Sequence, residues 1–234
     1  PGGTEIAAEI QKSLRFKKEV KLFSASTKGK NHSEFLFSNN TWVDSVYNDN
    51  WLDQLNELIL EEEIDFLFPA NAIVIDALIA RRKELKAEVL LPDSEVVKIT
   101  RSKSKTYQLF EDILPIPKTF DSPNNVNEYP VFSKPKSGYG SQGAEKIINH
   151  GALTSVDFDK NIISEYLPGE EYSVDCFSNS LGELMFCQGR TRERIRMGTS
   201  MHSEIVDEDT NHFFNQIAKK ILSRLKIVGA WFFQ

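Results

Sequence analysis

The sequence predicts an α/β arrangement in its first part and an α+β arrangement, rich in antiparallel strands, in its second. Three observations carry this reading. Apolar strand-like runs alternate with amphipathic helical runs up to about residue 92. After Pro130 the apolar period falls to nearly two. A junction between the two patterns lies near residues 93–100.

The first part reads as follows. Residues 4–16 form a helix after the turn Pro1-Gly2-Gly3, with Thr4 as N-cap and Ile6, Ala7, Ile10 and Leu14 as its apolar stripe. "EVKLFSAS" is a short strand. "WLDQLNELILEEE" places Leu52, Leu55 and Ile59 at helical spacing. "IDFLFPA" reads as a buried strand, "NAIVIDALIARRKEL" as a helix with cations in its last turn, and "AEVLLP" as the next strand. Alternation of this kind predicts a parallel sheet with covering helices.

In the second part "SKTYQLFEDI" is a helix, and Pro115 and Pro117 enforce the extended chain after it. "VFSKP", "AEKII", "NIISEYL", "EEYSVDCF" and "ELMFCQGRTRER" read as antiparallel strands. The helix "HFFNQIAKKILSRL" leads into the apolar strand "IVGAWFFQ".

Composition narrows the function. With 234 residues, 40% hydrophobic and 26% charged, the chain can build a core and is not a disordered tail. A net charge of −6 disfavours nucleic acid as partner. No apolar run reaches the roughly 18 residues of a membrane span, and no signal peptide is visible, so a cytoplasmic setting is expected. Cys176 and Cys187 make neither a zinc site nor a disulfide framework, and His32, His150, His202 and His212 lack metal-ligand spacing. The ends, "PGGTEIAAEI" and "IVGAWFFQ", read as cut from a longer protein.

Chemistry concentrates in three places. "SKPKSGYGSQGAEKII" contains G-x-G-x-x-G at Gly138, Gly140 and Gly143. A dinucleotide turn needs an apolar strand before the glycines and a helix after them. Lys134 and Lys136 interrupt the approach, and "AEKII" is too short for a helix. The loop is therefore read as a β-hairpin tip, which either covers phosphates with its N–H groups or carries no ligand. A helix after Gly143 would favour NAD(P), a strand ATP. Lys134, on the strand entering the hairpin, either reaches such phosphates or is a surface lysine.

In "ISEYLPGEEYSVDCF", Pro168-Gly169 ends an apolar segment, as at a hinge whose backbone can pair with an adenine edge. Beyond it, Glu171, Ser173 and Asp175 share one strand face, either solvated or the floor of a cleft. In "QGRTRERIRMG", Arg190, Arg192 and Arg194 alternate and so are expected to share a face. A two-residue turn at Leu181-Gly182 makes opposed residues sum to 363, which sets Arg192 opposite Glu171 and Arg190 opposite Ser173. The arginines form either a charge-protected edge or a site for phosphate and carboxylate.

"VFSKPKSGYGSQGAEKI", "NIISEYLPGEEYSVDCF", "GRTRERIRMG" and "IVGAWFFQ" follow one another as in the ATP-grasp superfamily. The chain resembles proteins similar to the carbamoyl phosphate synthetase large subunit. The resemblance implies a Rossmann-like pre-ATP-grasp domain with a parallel sheet over residues 1–93. An ATP-grasp domain follows over 94–234, with a lid subdomain at about 119–166 and a C-terminal part cut short.

It also implies an ATP-dependent carboxylate–amine or carboxylate–thiol ligase that uses Mg2+ and forms an acyl phosphate. Its partners would be small-molecule carboxylates and amines, not nucleic acid or membrane, and a homodimer is compatible with the class. A nucleotide-binding module of the same fold without ligase activity is the alternative. By position, Lys103 matches the first ATP lysine, with Lys105 as rival, and Lys134 matches the second. Gly138, Tyr139, Gly140, Ser141 and Gly143 match the flexible lid. Glu165, Tyr166 and Leu167 match the adenine hinge, and Glu171 the ribose-binding acid. Arg190 and Arg192 match the basic residues near the γ-phosphate and substrate. Gln234 matches a metal-ligand position, while the family's E-x-N metal segment is missing.

Overall fold

The computed structural model describes residues 5–29, 31–136, 143–196 and 199–234. The chain divides into two compact units, Pro1–Leu91 and Pro92–Gln234.

The first unit contains α1 (Glu5–Leu14), β1 (Ser24–Ser26), α2 (Ser33–Leu36), β2 (Asn40–Trp42), α3 (Trp51–Glu61), β3 (Phe66–Leu67), α4 (Ala72–Ala80) and β4 (Glu88–Val89). Strands β1 and β2 pair in parallel, as do β3 and β4, in separate two-stranded sheets. Trp51 and Leu52 of α3 bury against Leu78 of α4 and Val89 of β4. Asn71 caps α4, its side-chain oxygen accepting from the Ile73 N–H at 2.9 Å.

Two expectations need correction. The strand expected over residues 19–26 is ordered as strand only at Ser24–Ser26, because its partner β2 offers only three residues to pair. The run "IDFLFPA" is a strand but not a buried one: Phe66 and Phe68 are exposed, since a two-stranded sheet can shelter little more than Leu67.

The second unit contains α5 (Ser94–Thr100), α6 (Lys103–Phe110), β5 (Thr119–Phe120), β6 (Val131–Pro135), β7 (Glu145–Ile147), α7 (His150–Leu153) and β8 (Asn161–Glu165). It continues through β9 (Tyr172–Ser178), β10 (Leu184–Thr191), β11 (Arg194–Arg196), β12 (Thr199–His202), α8 (Glu208–Arg224) and β13 (Gly229–Phe233). One sheet has the order β5-β8-β6-β7, a second β10-β9-β13 and a third β11-β12; every pairing in them is antiparallel. The first sheet encloses Val126, Val131, Ile147, Leu153 and Ile163. The second packs Val174 and Cys176 on Phe214 and Ala218 of α8. Helix α5, unpredicted because "SEVVKIT" is rich in β-branched residues, is held by burying Val96 against Phe110, Ile221 and Leu225.

The segment after Gly143 is the strand β7, antiparallel to β6. That removes the NAD(P) alternative, which required a helix there. Gly143 itself has φ +70, the left-handed conformation that glycine adopts without a steric penalty.

The β9–β10 hairpin reaches the expected pairing by another route. Asn179 and Glu183 close a three-residue turn, with the Asn179 N–H donating to the Glu183 carbonyl at 3.0 Å and Gly182 at φ +86. This shifts the register by one, so Leu184 pairs with Ser178. A bulge between Leu184 and Phe186 restores it, and Arg190 opposes Ser173 as expected.

Candidate functional site

Lys103 lies close enough to Lys134 for the Lys134 charge to disfavour its own. Ser102 caps α6, its Oγ accepting from the Lys105 N–H at 3.4 Å, which sets Lys103 at the first helical position. The Lys103 N–H donates to the Lys136 carbonyl at 3.2 Å, joining this helix start to the end of β6. Burial first, and the Lys134 charge second, hold the Lys103 ammonium below the ordinary lysine pKa. Lys134 Nζ donates to Tyr107 Oη at 2.6 Å and lies 5.2 Å from the centre of that ring. Among the described residues neither lysine pairs with a carboxylate. Two cations held together without an anion form a site suited to one.

Tyr107 escaped the sequence reading. Its signal was present: it lies four residues after Lys103, on the same helix face.

The second group lies on β9, β10 and β13. Arg190 Nε donates to Asp175 Oδ2 at 2.7 Å and Nη2 to Oδ1 at 3.3 Å, a two-pronged pair between diagonal neighbours. Its Nη1 donates to Ser203 Oγ at 3.1 Å, and Ser203 is 2.8 Å from Ser200 Oγ on β12. The Arg192 side chain is only 5% exposed, whereas that of Glu171, whose Oε2 is 3.3 Å from Arg192 Nε, is 68% exposed. Buried Ser173 accepts from Arg192 Nη1 at 3.3 Å and from Gln234 Nε2 at 3.3 Å, so its hydroxyl joins all three strands. Arg190, Arg192, Glu171, Ser173 and Gln234 are thus brought together. The outer side of β10 is covered by residues 204–206, through Thr191 N–H to the Glu204 carbonyl and Val206 N–H to the Gly189 carbonyl. This overturns the reading of the arginines as a solvated edge.

Arg194 does not share their face. Strand β10 ends at Thr191, and Arg194 opens β11, which pairs with β12 instead of β9. The Glu193 N–H already bonds to the His202 carbonyl, so the chain changes partner between Arg192 and Glu193.

Glu165 ends β8, and its carboxylate accepts from the Lys118 N–H at 2.8 Å, so this side chain fixes the sheet edge. The Tyr166 ring lies under Lys146 Nζ, 4.1 Å from its centre, and beside Phe132. Leu167 is exposed. Gly138, Tyr139, Gly140 and Ser141 lie outside the described residues.

A family model described as the ATP-grasp domain matches residues 100–231, more than half of the chain. The chain belongs to the ATP-grasp family. Among curated proteins no match was found. Solved ATP-grasp structures share its fold. The biotin carboxylase domain dimer of Hydrogenobacter thermophilus 2-oxoglutarate carboxylase, in complex with MgADP, ADP and bicarbonate, aligns with TM-score 0.76 and 11% identity over 97% of this chain and 58% of that one. The Campylobacter jejuni biotin carboxylase–β-γ-ATP complex aligns with TM-score 0.76 and 16% identity, over 98% and 59%. Thermotoga maritima N5-carboxyaminoimidazole ribonucleotide synthetase gives 0.70 and 15%, over 98% and 61%. At such identities the likeness is one of fold. This ATP-grasp chain spans about three-fifths of the length of these structures.

Proposed function

We infer that the second unit binds ATP and serves ATP-dependent ligation of a small carboxylate to an amine or thiol through an acyl phosphate. The observation that carries this is the pairing of Lys103 with Lys134 beside the β6–β7 hairpin, with no carboxylate among the described residues to neutralise them. In this reading the two lysines take the α and β phosphates. Residues 138–143 cover them, and the backbone at Glu165, Tyr166 and Leu167 meets the adenine edge. Glu171, whose carboxylate reaches solvent, takes the ribose hydroxyls. Arg190 and Arg192 face the γ-phosphate and the carboxylate.

The chemistry explains why cations are needed. Two unit charges about 4 Å apart repel by about 4 kcal/mol at an effective dielectric near 20. A carboxylate attacking a triphosphate therefore needs fixed positive groups beside the reacting oxygens. The γ-phosphoryl group passes to the carboxylate oxygen and ADP leaves. The amine or thiol then displaces phosphate from the acyl carbon. Exclusion of water protects the acyl phosphate between those steps.

Magnesium is the usual companion of ATP in such chemistry and, when bound, would supply positive charge that offsets the phosphates. The groups beside the arginines do not by themselves make its site. Gln234 offers one neutral amide oxygen, its amide nitrogen is donated to Ser173, and Asp175 is already paired with Arg190.

Residues 1–93 take the place of a Rossmann-like pre-ATP-grasp domain in this proposal; two parallel strand pairs support that. Kinship with the carbamoyl phosphate synthetase large subunit rests on the sequence motifs. The decisive test is ADP release by the full-length protein across a panel of carboxylates with amines and thiols. ATP binding with no turnover for any pair would leave a binding module. Absence of ATP and ADP binding would overturn the proposal.

A further inference from the structure

Cys176 and Cys187 are the only cysteines of the chain, and the register of β9 and β10 sets them directly opposite each other. Both belong to the sheet face packed on α8, with Val174, Phe214 and Ala218, away from the face of Ser173, Asp175 and Arg190. The backbone shows which kind of pair they form. The Cys187 carbonyl accepts from Asn211 Nδ2 at 3.3 Å, away from β9. Two residues on, the Gly189 N–H donates to Asn211 Oδ1 at 2.8 Å, and its carbonyl accepts from the Val206 N–H. Arg192 N–H, by contrast, donates inward to the Glu171 carbonyl at 3.1 Å. Alternation then makes Cys176–Cys187 a pair without mutual backbone hydrogen bonds.

In such pairs the Cα atoms approach to about 4.5 Å and the side chains lie closest. That separation falls within the range of roughly 4.4–6.8 Å that a disulfide spans. Cys176 Sγ, whose S–H donates to the Val174 carbonyl at 3.9 Å, lies near enough to Cys187 for each to influence the other's protonation. Cys176 is buried, whereas Cys187 is half-buried and is the sulfur a small reagent meets first.

We propose that Cys176 and Cys187 are a redox pair that closes into a cross-strand disulfide when a low-molecular-weight disulfide is the oxidant. The Cys187 thiol loses its proton to solvent and its sulfur attacks one sulfur of the oxidant. The oxidant's S–S bond breaks, and one small thiolate leaves and takes a proton. The deprotonated Cys176 sulfur then attacks the Cys187 sulfur of the mixed disulfide and expels the second small thiolate. Two protein thiols are oxidised and one oxidant disulfide is reduced to two thiols. Burial raises both cysteine thiols, so the pair stays reduced until an oxidant is supplied and closes slowly. The bond would lie one residue from Asp175 and three from Arg190, bracing the strands that carry them.

The test is incubation of the folded chain with oxidised glutathione, followed by intact mass and thiol alkylation under denaturing conditions. The expected result is a mass lower by two hydrogen atoms, both cysteines protected, and full recovery with dithiothreitol. Cys176→Ser, or Cys176→Ala should that variant fold better, is expected to trap glutathione on Cys187. Two alkylatable thiols in the treated wild type would overturn the proposal. So would a stable glutathione adduct on the wild type, a disulfide-linked dimer, or a Cys176 variant that takes up no glutathione.

Discussion

Arg190 and Asp175 face each other across β9 and β10 through two hydrogen bonds, of 2.7 and 3.3 Å. A guanidinium held at two of its donors and steadied by Ser203 at a third cannot swing freely. Asp175 therefore positions Arg190. Asp175→Asn keeps the side-chain size and removes the charge. Affinity for an unhydrolysable ATP analogue, or turnover, is expected to fall several-fold while ADP affinity holds. Equal effects on both nucleotides would show that the pair serves stability instead.

Lys134 sits on the Tyr107 hydroxyl and ring, close to Lys103. Lys134→Ala should weaken ADP binding by about 1.5–3 kcal/mol, the range for a hydrogen bond to a charged group. Tyr107→Phe retains the ring and should cost less, about 0.5–1.5 kcal/mol. Calorimetric titration of ADP separates them, and unchanged affinity in a folded Lys134→Ala protein would remove this lysine from the site.

Lys103 gives a test in the unliganded protein. Burial and Lys134 lower its pKa in the fold, so the unfolded chain binds that proton more tightly. The resulting destabilisation is complete below the folded pKa and fades as pH rises from there towards the ordinary lysine value. Lys103→Met should abolish this alkaline gain and leave the free protein at least as heat-stable at neutral pH. The same variant should lose most of the upward Tm shift that ADP gives the wild type. Thermal melts across pH, with and without ADP, check both; a wild-type ADP shift surviving in the variant would exclude Lys103 from the phosphate site.

Glu171 and Arg192 differ in burial, and their roles should differ too. Glu171→Gln is expected to weaken ADP and the ATP analogue alike, because both carry the ribose. Arg192→Lys is expected to weaken the analogue, or slow turnover, more than it weakens ADP. Titration of both ligands into both variants decides; negligible, parallel effects would reduce the contact to an ion pair without a ligand.

Gly189 lies on β10, the strand that carries Arg190, at the point where that strand packs on α8. A Cβ there would run into the Phe214 ring and meet Val206 at 3.0 Å. Gly189→Ala should destabilise the second unit by about 1–3 kcal/mol, the usual cost of overfilling a packed core. Chemical denaturation measures this, and a loss below about 0.5 kcal/mol would mean that α8 moves aside without strain.

The sequence by itself determined whatever depends on neighbours along the chain. The period of two after Pro130 foretold the antiparallel strands. Shortness of the "AEKII" run after Gly143 foretold a strand, and the four ordered motifs foretold the family. Alternation foretold that Glu171, Ser173 and Asp175 share a face. The pairing of Arg190 with Ser173 also came out as foretold, although through a three-residue turn and a compensating bulge that the turn arithmetic did not contain.

Tertiary structure decided what depends on contacts distant in sequence. Arg194 left the arginine face because the chain changes strand partner after Arg192, and no local rule marks such a change. Helix α5 formed against its propensities because burying Val96 outweighs them. Phe66 and Phe68 stayed exposed because burial depends on what covers a strand, not on how apolar it is. Lys103 met Lys134, and Tyr107 supported it, only once α6 docked against the end of β6, and an electrostatic coupling of that kind exists only in three dimensions.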